Sequence, residues 1–311
     1  MLQAASRAVF HLLAGSEILK RLASRHGMAY PEGFARRFIA GESIDHAIQT
    51  GRDLQSRGFL LTLDYLGESV ATVEAADAAT REYLRLLDII VASGIERNIS
   101  LKLTQLGLDV DRATCLDNLR RILERGGLHD FFVRVDMENS PYTDVTLDIV
   151  DTLWRYDYRC LGVVLQSYLY RSESDLERVL LLGARVRLVK GAYHEPKSVA
   201  YQTRGEVNAA FVRMMKALLD RGHYPAIATH DPEMINATLA YATERRIASD
   251  RFEFQMLYGI RRDLQNSLLQ GGYRVRVYLP FGQQWFPYFM RRLGERPANV
   301  TFVIRSLMHE R

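Results

Sequence analysis

The chain has 311 residues, of which 48% are hydrophobic, 25% charged and 10% aromatic. These proportions support a sizeable core and exclude disordered, collagen-like and disulfide-scaffold classes. Lys and Arg number 41 against 37 Asp and Glu, a formal net charge of +4. That surplus is too thin and too evenly spread for nucleic acid, though compatible with weak attraction to an anionic membrane surface.

Two cysteines, Cys115 and Cys160, exclude a disulfide framework or a Cys-rich zinc site and suit a reducing cytosol. No apolar run reaches the roughly 20 residues of a membrane span. Val9, Leu12, Leu13, Ile18, Leu19 and Leu22 recur at helical spacing. Arg7, His11 and Glu17 interrupt that stretch and spoil a signal-peptide core. The pattern runs straight on toward the fold, which argues against a transit peptide. After a loop at Pro31-Glu32-Gly33, a helix is predicted over Ile44 to Arg57 with Ser43 as N-cap, although Gly51 sits inside it.

From Phe59 onward one unit repeats, a short β-branched run followed by a turn and an amphipathic helix. The runs are FLLTLDY, ISLKLT, FVRVDM, GVVLQS, RVRLVK, AIATHD, FEFQML and RVRVYL. Eight strands alternating with helices imply parallel pairing, and eight is the number that closes a barrel. The Gly-rich turn of a dinucleotide-binding open sheet is missing after the first strand. The expected fold is an α/β, (βα)8 TIM-type barrel over residues 58–311, with an N-terminal helical arm over 1–57.

Side chains alternate between the two faces of a strand. With the apolar set turned to the helices, the interior receives Thr62, Asp64, Ser100, Lys102, Thr104, Arg134, Asp136, Val164, Gln166, Arg185, Arg187, Glu253, Gln255, Arg276 and Tyr278. Arg185 and Arg274 fall early in their strands and can reach solvent at the bottom face. Lys102, Asp136, Gln166, Arg187 and Tyr278 fall late, toward the end where barrel enzymes carry their sites. Unpaired buried charge costs several kcal/mol, so ion pairs, an anionic ligand or both are required. An apparent surplus of cations favours the anion.

Lys190-Gly191-Ala192-Tyr193 closes the fifth strand. Glycine there lets backbone N–H groups approach a phosphate, although a Gly after a strand is ordinarily just a turn. Thr229-His230-Asp231 ends the sixth strand, where a lone His is ordinarily a satisfied hydrogen-bonding residue. No HxH pair or HExxH helix exists, which disfavours a metal site. Tyr288, Arg291, Arg292 and Glu295 share one helix face after the eighth strand. Such a face is ordinarily solvated with internal Glu–Arg pairing; at a barrel mouth, two adjacent guanidinium groups match a carboxylate.

SLKLTQLG, VRVDME, VVLQSYL, RLVKGAY, ATHD, VYLPFG and YFMRRLGE, in this order from Ser100 to Glu295, together resemble flavin-dependent proline dehydrogenase of the stand-alone bacterial type. Tyr258-Gly259-Ile260 stands where many members have His-Gly-Met. The resemblance implies FAD-dependent oxidation of L-proline to Δ1-pyrroline-5-carboxylate, the first step of proline catabolism, by hydride transfer to flavin N5. It further implies a membrane quinone as electron acceptor. Pathway logic adds a separate pyrroline-5-carboxylate dehydrogenase and a cytoplasmic protein with peripheral contact at the inner face of the membrane.

By the same resemblance Arg291 and Arg292 bind the proline carboxylate with Lys102 as a further contact on the substrate, Tyr278 and Tyr288 wall its ring, and Glu295 orients an arginine of the helix. Asp136 is the active-site aspartate, pairing with neighbouring cations, and Arg187 lies beside flavin N5. Met137, Gln166, Lys190, Gly191, Ala192, Thr229 and His230 match FAD contacts. Parity turns Met137 outward, so its contact would be through the backbone. Tyr278 at the ring edge argues for proline over hydroxyproline. Two rivals share the fold: a Schiff-base aldolase using Lys102 or Lys190, and a binding barrel that feeds a partner dehydrogenase.

Overall fold

A computed structural model of the protein describes residue 28 and residues 33–295, excluding the side chains of residues 34, 294 and 295. Strands β1 (Leu60–Tyr65), β2 (Asn98–Leu101), β3 (Phe132–Val135), β4 (Leu161–Gln166), β5 (Val186–Val189), β6 (Ala226–Ala228), β7 (Glu253–Leu257) and β8 (Val275–Phe281) close into a barrel. Every neighbouring pair is parallel and in sequence order. The expected (βα)8 architecture is therefore the observed one. The predicted helix over Val9 to Leu22 lies outside the described residues.

Helix α1 (Ile44–Ser56) starts where expected, with the Ser43 hydroxyl accepting from the His46 N–H at 3.3 Å. It packs on both β1 and β8. Gly51 is the reason it can lie so close, because a Cβ there would sit 3.2 Å from Leu61 and 3.4 Å from Ile95. Helices α2 (Val73–Ser93), α3 (Arg112–Gly127), α4 (Thr143–Arg155), α5 (Ser172–Leu182), α6 (Arg204–Arg221), α7 (Pro232–Glu244) and α8 (Arg262–Gln270) follow the first seven strands. With α1 on the wall beside β8, the last helix, α9 (Trp285–Glu295), goes elsewhere. Its apolar residues join Met28, Ala35, Phe38, Ile39, Leu66 and Ile260 in a core separate from the main one. Leu66 and Ile260 follow the ends of β1 and β7, which places α9 at the barrel mouth.

Parity holds along the strands. Val133, Val135, Val186, Leu188, Phe254, Met256, Val275 and Val277 belong to the core between sheet and helices, and the polar set turns inward. Near the bottom, Arg276 donates to both Glu253 oxygens at 2.7 and 2.9 Å and to Glu96 at 2.6 Å. Arg134 donates to the carbonyls of Val163 and Arg185 and stacks 4.9 Å over Phe132. Arg185 stacks on Phe132 and Tyr224, while exposed Arg274 donates to the Tyr224 hydroxyl at 3.2 Å.

These pairings correct two expectations. Three of the inner cations meet carboxylates within the protein, Arg276 on Glu253 and Glu96, Arg187 on Asp136 and Lys102 facing Asp64, while Arg134 has carbonyl and ring partners. Glu96 comes from the loop before β2, outside any strand pattern, so the wall's charge does not itself demand an anion. In addition, β2 stops at Leu101, and Thr104 starts a 3-10 turn instead of lining the wall. Its N–H and hydroxyl both donate to Glu138, at 3.2 and 2.7 Å.

Candidate active site

Arg187 projects from β5 into the upper barrel and is held on three sides. Its Nη1 donates to Asp136 Oδ1 at 2.6 Å, its Nε to Gln255 Oε1 at 2.5 Å and its Nη2 to Ser100 Oγ at 2.9 Å. Tyr278 donates to the other Asp136 oxygen at 2.8 Å, and its ring lies 5.2 Å under the guanidinium. A planar fork with donors fixed by three strands' worth of partners has no rotational freedom left. Burial first, and the nearby Asp136 carboxylate second, push the Tyr278 phenol well above its ordinary pKa, so it remains a donor. Gln255 passes the network downward by donating to Glu253 Oε1 at 2.5 Å.

Lys102 stands just past β2 with its side chain 11% exposed, 3.9 Å from Asp64 Oδ1. Burial alone would lower its pKa, but the Asp64 and Asp136 carboxylates outweigh it and hold the ammonium charged. Asp64 is raised, chiefly by burial. Tyr193, in the loop after β5, is pushed up to about 12 by its own burial.

Helix α9 brings Arg291 and Arg292 to the same end. Arg291 Nη1 meets Glu68 Oε1 of the β1–α2 loop at 2.8 Å, and Arg292 lies 5.1 Å over the buried Tyr288 ring. Arg291 thus takes a partner from across the mouth. The helix is anchored by Trp285, whose indole donates to Glu42 at 2.8 Å. Glu295 is the last residue of α9, and its side chain lies outside the described residues.

A second arc runs from β4 to β6. Gln166 donates to the Met137 carbonyl at 3.3 Å, while its Oε1 is buried without a partner among the described residues. The Met137 side chain packs outward in the main core, as parity expects. Lys190 donates to Asn208 at 2.5 Å and Asp231 at 2.6 Å. Burial would raise Asp231, but the Lys190 ammonium, the Glu233 N–H and Arg204 together outweigh it and hold the carboxyl low. Thr229 Oγ1 accepts from the Asp231 N–H at 3.1 Å. His230 Nε2 accepts from the Leu257 N–H at 2.9 Å, which puts the ring proton of a neutral imidazole on Nδ1. Gly191 has φ +115°, and a Cβ there would lie 2.4 Å from the Tyr168 ring. Ala192 beside it is exposed.

The structure thus gathers Lys102, Asp136, Arg187, Tyr278, Tyr288, Arg291 and Arg292 at one open end, with the β4–β6 arc beside them. Glu68 had no signal in the sequence, since it sits on a loop without periodicity. Gln255 and Ser100 were placed inside by parity but not recognised as the clamps of Arg187. Glu138, which fastens the turn after Lys102, falls within the quoted VRVDME string. Among the described residues no group of three or more His, Cys, Asp or Glu is placed to hold a metal ion.

A family model described as proline dehydrogenase matches residues 47–305. Proline dehydrogenase 2 of Bacillus subtilis strain 168 is 40% identical over 302 residues, covering 97% of this chain and 98% of its own. Proline dehydrogenase of Deinococcus radiodurans is 40% identical over 278 residues, 88% of this chain and 90% of that one. Among solved structures, proline utilization A of Bdellovibrio bacteriovorus, inactivated by N-propargylglycine, superposes with a TM-score of 0.79 at 26% identity. That match covers 84% of this chain and 32% of the longer one. The barrel, its ionic mouth and these matches converge: the chain belongs to the proline dehydrogenase family.

Proposed function

We propose that this proline dehydrogenase converts L-proline to Δ1-pyrroline-5-carboxylate with FAD as cofactor and a membrane quinone as final electron acceptor. The observation that carries the reading is the immobilised Arg187–Asp136–Tyr278 group facing the same opening as Lys102 and the arginine pair of α9.

The β4–β6 arc fits a dinucleotide. Gln166 Oε1 is a buried acceptor in need of a donor, and Gly191, packed so closely on the Tyr168 ring that a Cβ would lie 2.4 Å from it, lets the backbone after Lys190 turn at φ +115°. Gln166, Lys190, Gly191, Ala192, Thr229, His230 and the Met137 backbone would hold the cofactor. When bound, FAD supplies at N5 the acceptor for the hydride leaving C5 of the proline ring.

The chain's own residues do the rest. Arg291, Arg292 and Lys102 take the carboxylate, and Tyr278 and Tyr288 wall the ring, so that C5 is held in one orientation. Such positioning is worth up to about 7–11 kcal/mol of the barrier. Arg187 supplies a fixed positive charge on the flavin side, prevented from turning by Asp136, Gln255 and Ser100. By the resemblance, Glu295 would orient one arginine of that pair. The Schiff-base rival fits poorly, because Lys102 is held as an ammonium and Lys190 already donates to Asp231 and Asn208. A nucleophilic lysine needs its proton removed.

In this reading residues 58–311 form the catalytic barrel and residues 1–57 an arm whose helix α1 completes its wall. No described helix is long and apolar enough to cross a membrane. Reaching a quinone then calls for peripheral contact of a cytoplasmic protein with the inner face of the membrane, and the product passes to a separate pyrroline-5-carboxylate dehydrogenase. The test is an absorbance spectrum of purified protein with and without proline under anaerobic conditions. A flavin band that bleaches on adding proline is expected. A protein that takes up no flavin, or a band indifferent to proline, overturns the proposal.

A further inference from the structure

One partner of Arg187 can point either way. The Asp136 carboxylate only accepts and the Ser100 hydroxyl can turn its proton aside, whereas the Gln255 amide has an acceptor at one end and a donor at the other. Arg187 Nε only donates, so the amide oxygen has to face it, and it does, at 2.5 Å. The NH2 end meets Glu253 Oε1 at 2.5 Å, and the same carboxylate takes Arg276 Nε at 2.7 Å and Nη2 at 2.9 Å. Arg187 reaches Gln255 across β6, where the register sets only the methyl groups of Ala226 and Ala228 beside Glu253 and Gln255. Glu253, Gln255 and Arg276 are all buried, away from bulk water that could replace a lost partner. Burial alone would raise the Glu253 carboxyl, but Arg276, Gln255 and Arg134 outweigh it and keep it ionised. Both its oxygens therefore accept and neither donates.

We propose that Glu253 is a positioning residue for proline oxidation: its carboxylate, gripped by Arg276, orients the Gln255 amide and so fixes the Arg187 guanidinium from below. This rests on the reading of Arg187 as the fixed positive charge on the flavin side. The donors run one way, Arg187 to Gln255 and Gln255 to Glu253, with Arg276 closing the chain from beneath. A neutral amide at position 253 would offer one acceptor oxygen where the carboxylate offers two. Three N–H groups, one from Gln255 and two from Arg276, would compete for it, and Gln255 would be free to reverse. A reversed Gln255 sets NH2 against Arg187 Nε, donor against donor, and turns the guanidinium away. Preorganised charge stabilises a transition state only while it stays aimed. Glu253 sits two residues below Gln255 on β7 and acts through it.

The experiment measures the single-turnover rate of flavin reduction and the KM for proline. It compares FAD-loaded wild type, Glu253→Gln, Gln255→Leu and the double variant, at a temperature where circular dichroism shows each of them folded. Glu253→Gln should slow flavin reduction about tenfold, with KM changed by no more than about twofold. Gln255→Leu should do the same, and adding Glu253→Gln to it should slow the reaction no further, because the two act in one chain. A merely structural role would move KM and flavin content along with the rate, and would add its own loss in the Gln255→Leu background. An unaltered rate in folded, yellow Glu253→Gln, or a full further loss in the double variant, overturns the proposal. Should Glu253→Gln not fold, Glu253→Met combined with Arg276→Met removes the buried pair together and supports the same comparison with Gln255→Leu. Arg187→Met separates the two levels of the argument. If it leaves the rate unaltered, the reading of Arg187 fails and this proposal with it; if it slows reduction while Glu253→Gln does not, only this proposal fails.

Discussion

Asp136 and Arg187 meet at 2.6 Å across the open end of the barrel, tying the end of β3 to β5. Each has a second duty, since Asp136 also accepts from Tyr278 and Arg187 also donates to Ser100 and Gln255. Asp136→Ala therefore frees one arm of the guanidinium and strands the Tyr278 hydroxyl. The rate of flavin reduction by proline should fall roughly a hundredfold, the scale of losing one aligned polar contact to a developing charge. Arg187→Met should do at least as much. Both are read by single-turnover bleaching in enzyme that still holds flavin; an unaltered rate would remove the pair from the chemistry.

Arg291 reaches the mouth paired to Glu68 at 2.8 Å. Arg291→Met deletes a charge-assisted contact to the substrate carboxylate, and the KM for proline should rise by about 10 to 100-fold. Flavin content should be unaffected, because the cofactor residues lie on the β4–β6 arc. Glu68→Gln should shift KM less, since Arg291 and Glu68 are 30% and 35% exposed and solvent screens their pairing. Steady-state kinetics on the two variants decide this, and an unchanged KM in Arg291→Met would take α9 out of carboxylate binding.

Much of this site was legible because strand parity needs no tertiary knowledge. Arg187, Gln255, Arg276 and Tyr278 all face inward as alternation requires. Partnerships were less legible, because each joins units distant in sequence. Arg276 reaches Glu96 across 180 residues and Arg291 reaches Glu68 across 223. Counting charges on the strands alone missed Glu96 and made the interior look cationic. Thr104 was misplaced for another reason: β2 ends three residues earlier, and past a strand's end the period-2 rule no longer applies. The arginine pair of α9 was read correctly as a mouth feature, yet the displacement of α9 by α1 could only be seen in three dimensions.

Gly191 offers a test of the cofactor arc that leaves every charge in place. Its φ of +115° is strained for any other residue, and a Cβ would press to 2.4 Å from the Tyr168 ring. Gly191→Ala should cost about 1–3 kcal/mol locally and deform the loop between Lys190 and Tyr193. The expected result is a roughly tenfold or greater loss of FAD affinity, with the far-ultraviolet circular dichroism unchanged. Titration of the apo form with FAD measures it, and wild-type affinity in the variant would place the cofactor elsewhere.

The deepest ion pair of the barrel should govern its acid stability. Burial alone would raise the Glu253 carboxyl, but Arg276, which donates to both its oxygens, and Gln255 outweigh burial and hold it below the ordinary range. An acid whose pKa is depressed by folding stabilises the protein above its unfolded pKa and loses that contribution as pH falls through the folded value. The contribution should be complete above pH about 5 and fade below about 4. Removing one partner of a buried pair costs about 3–5 kcal/mol, so Glu253→Gln should melt several degrees lower at pH 7. The gap to wild type should narrow as the pH is lowered toward 3, because protonation discharges the same group in the wild type. Melting curves across that range decide the matter; a gap that stays constant would mean the loss comes from packing and not from the charge on Glu253.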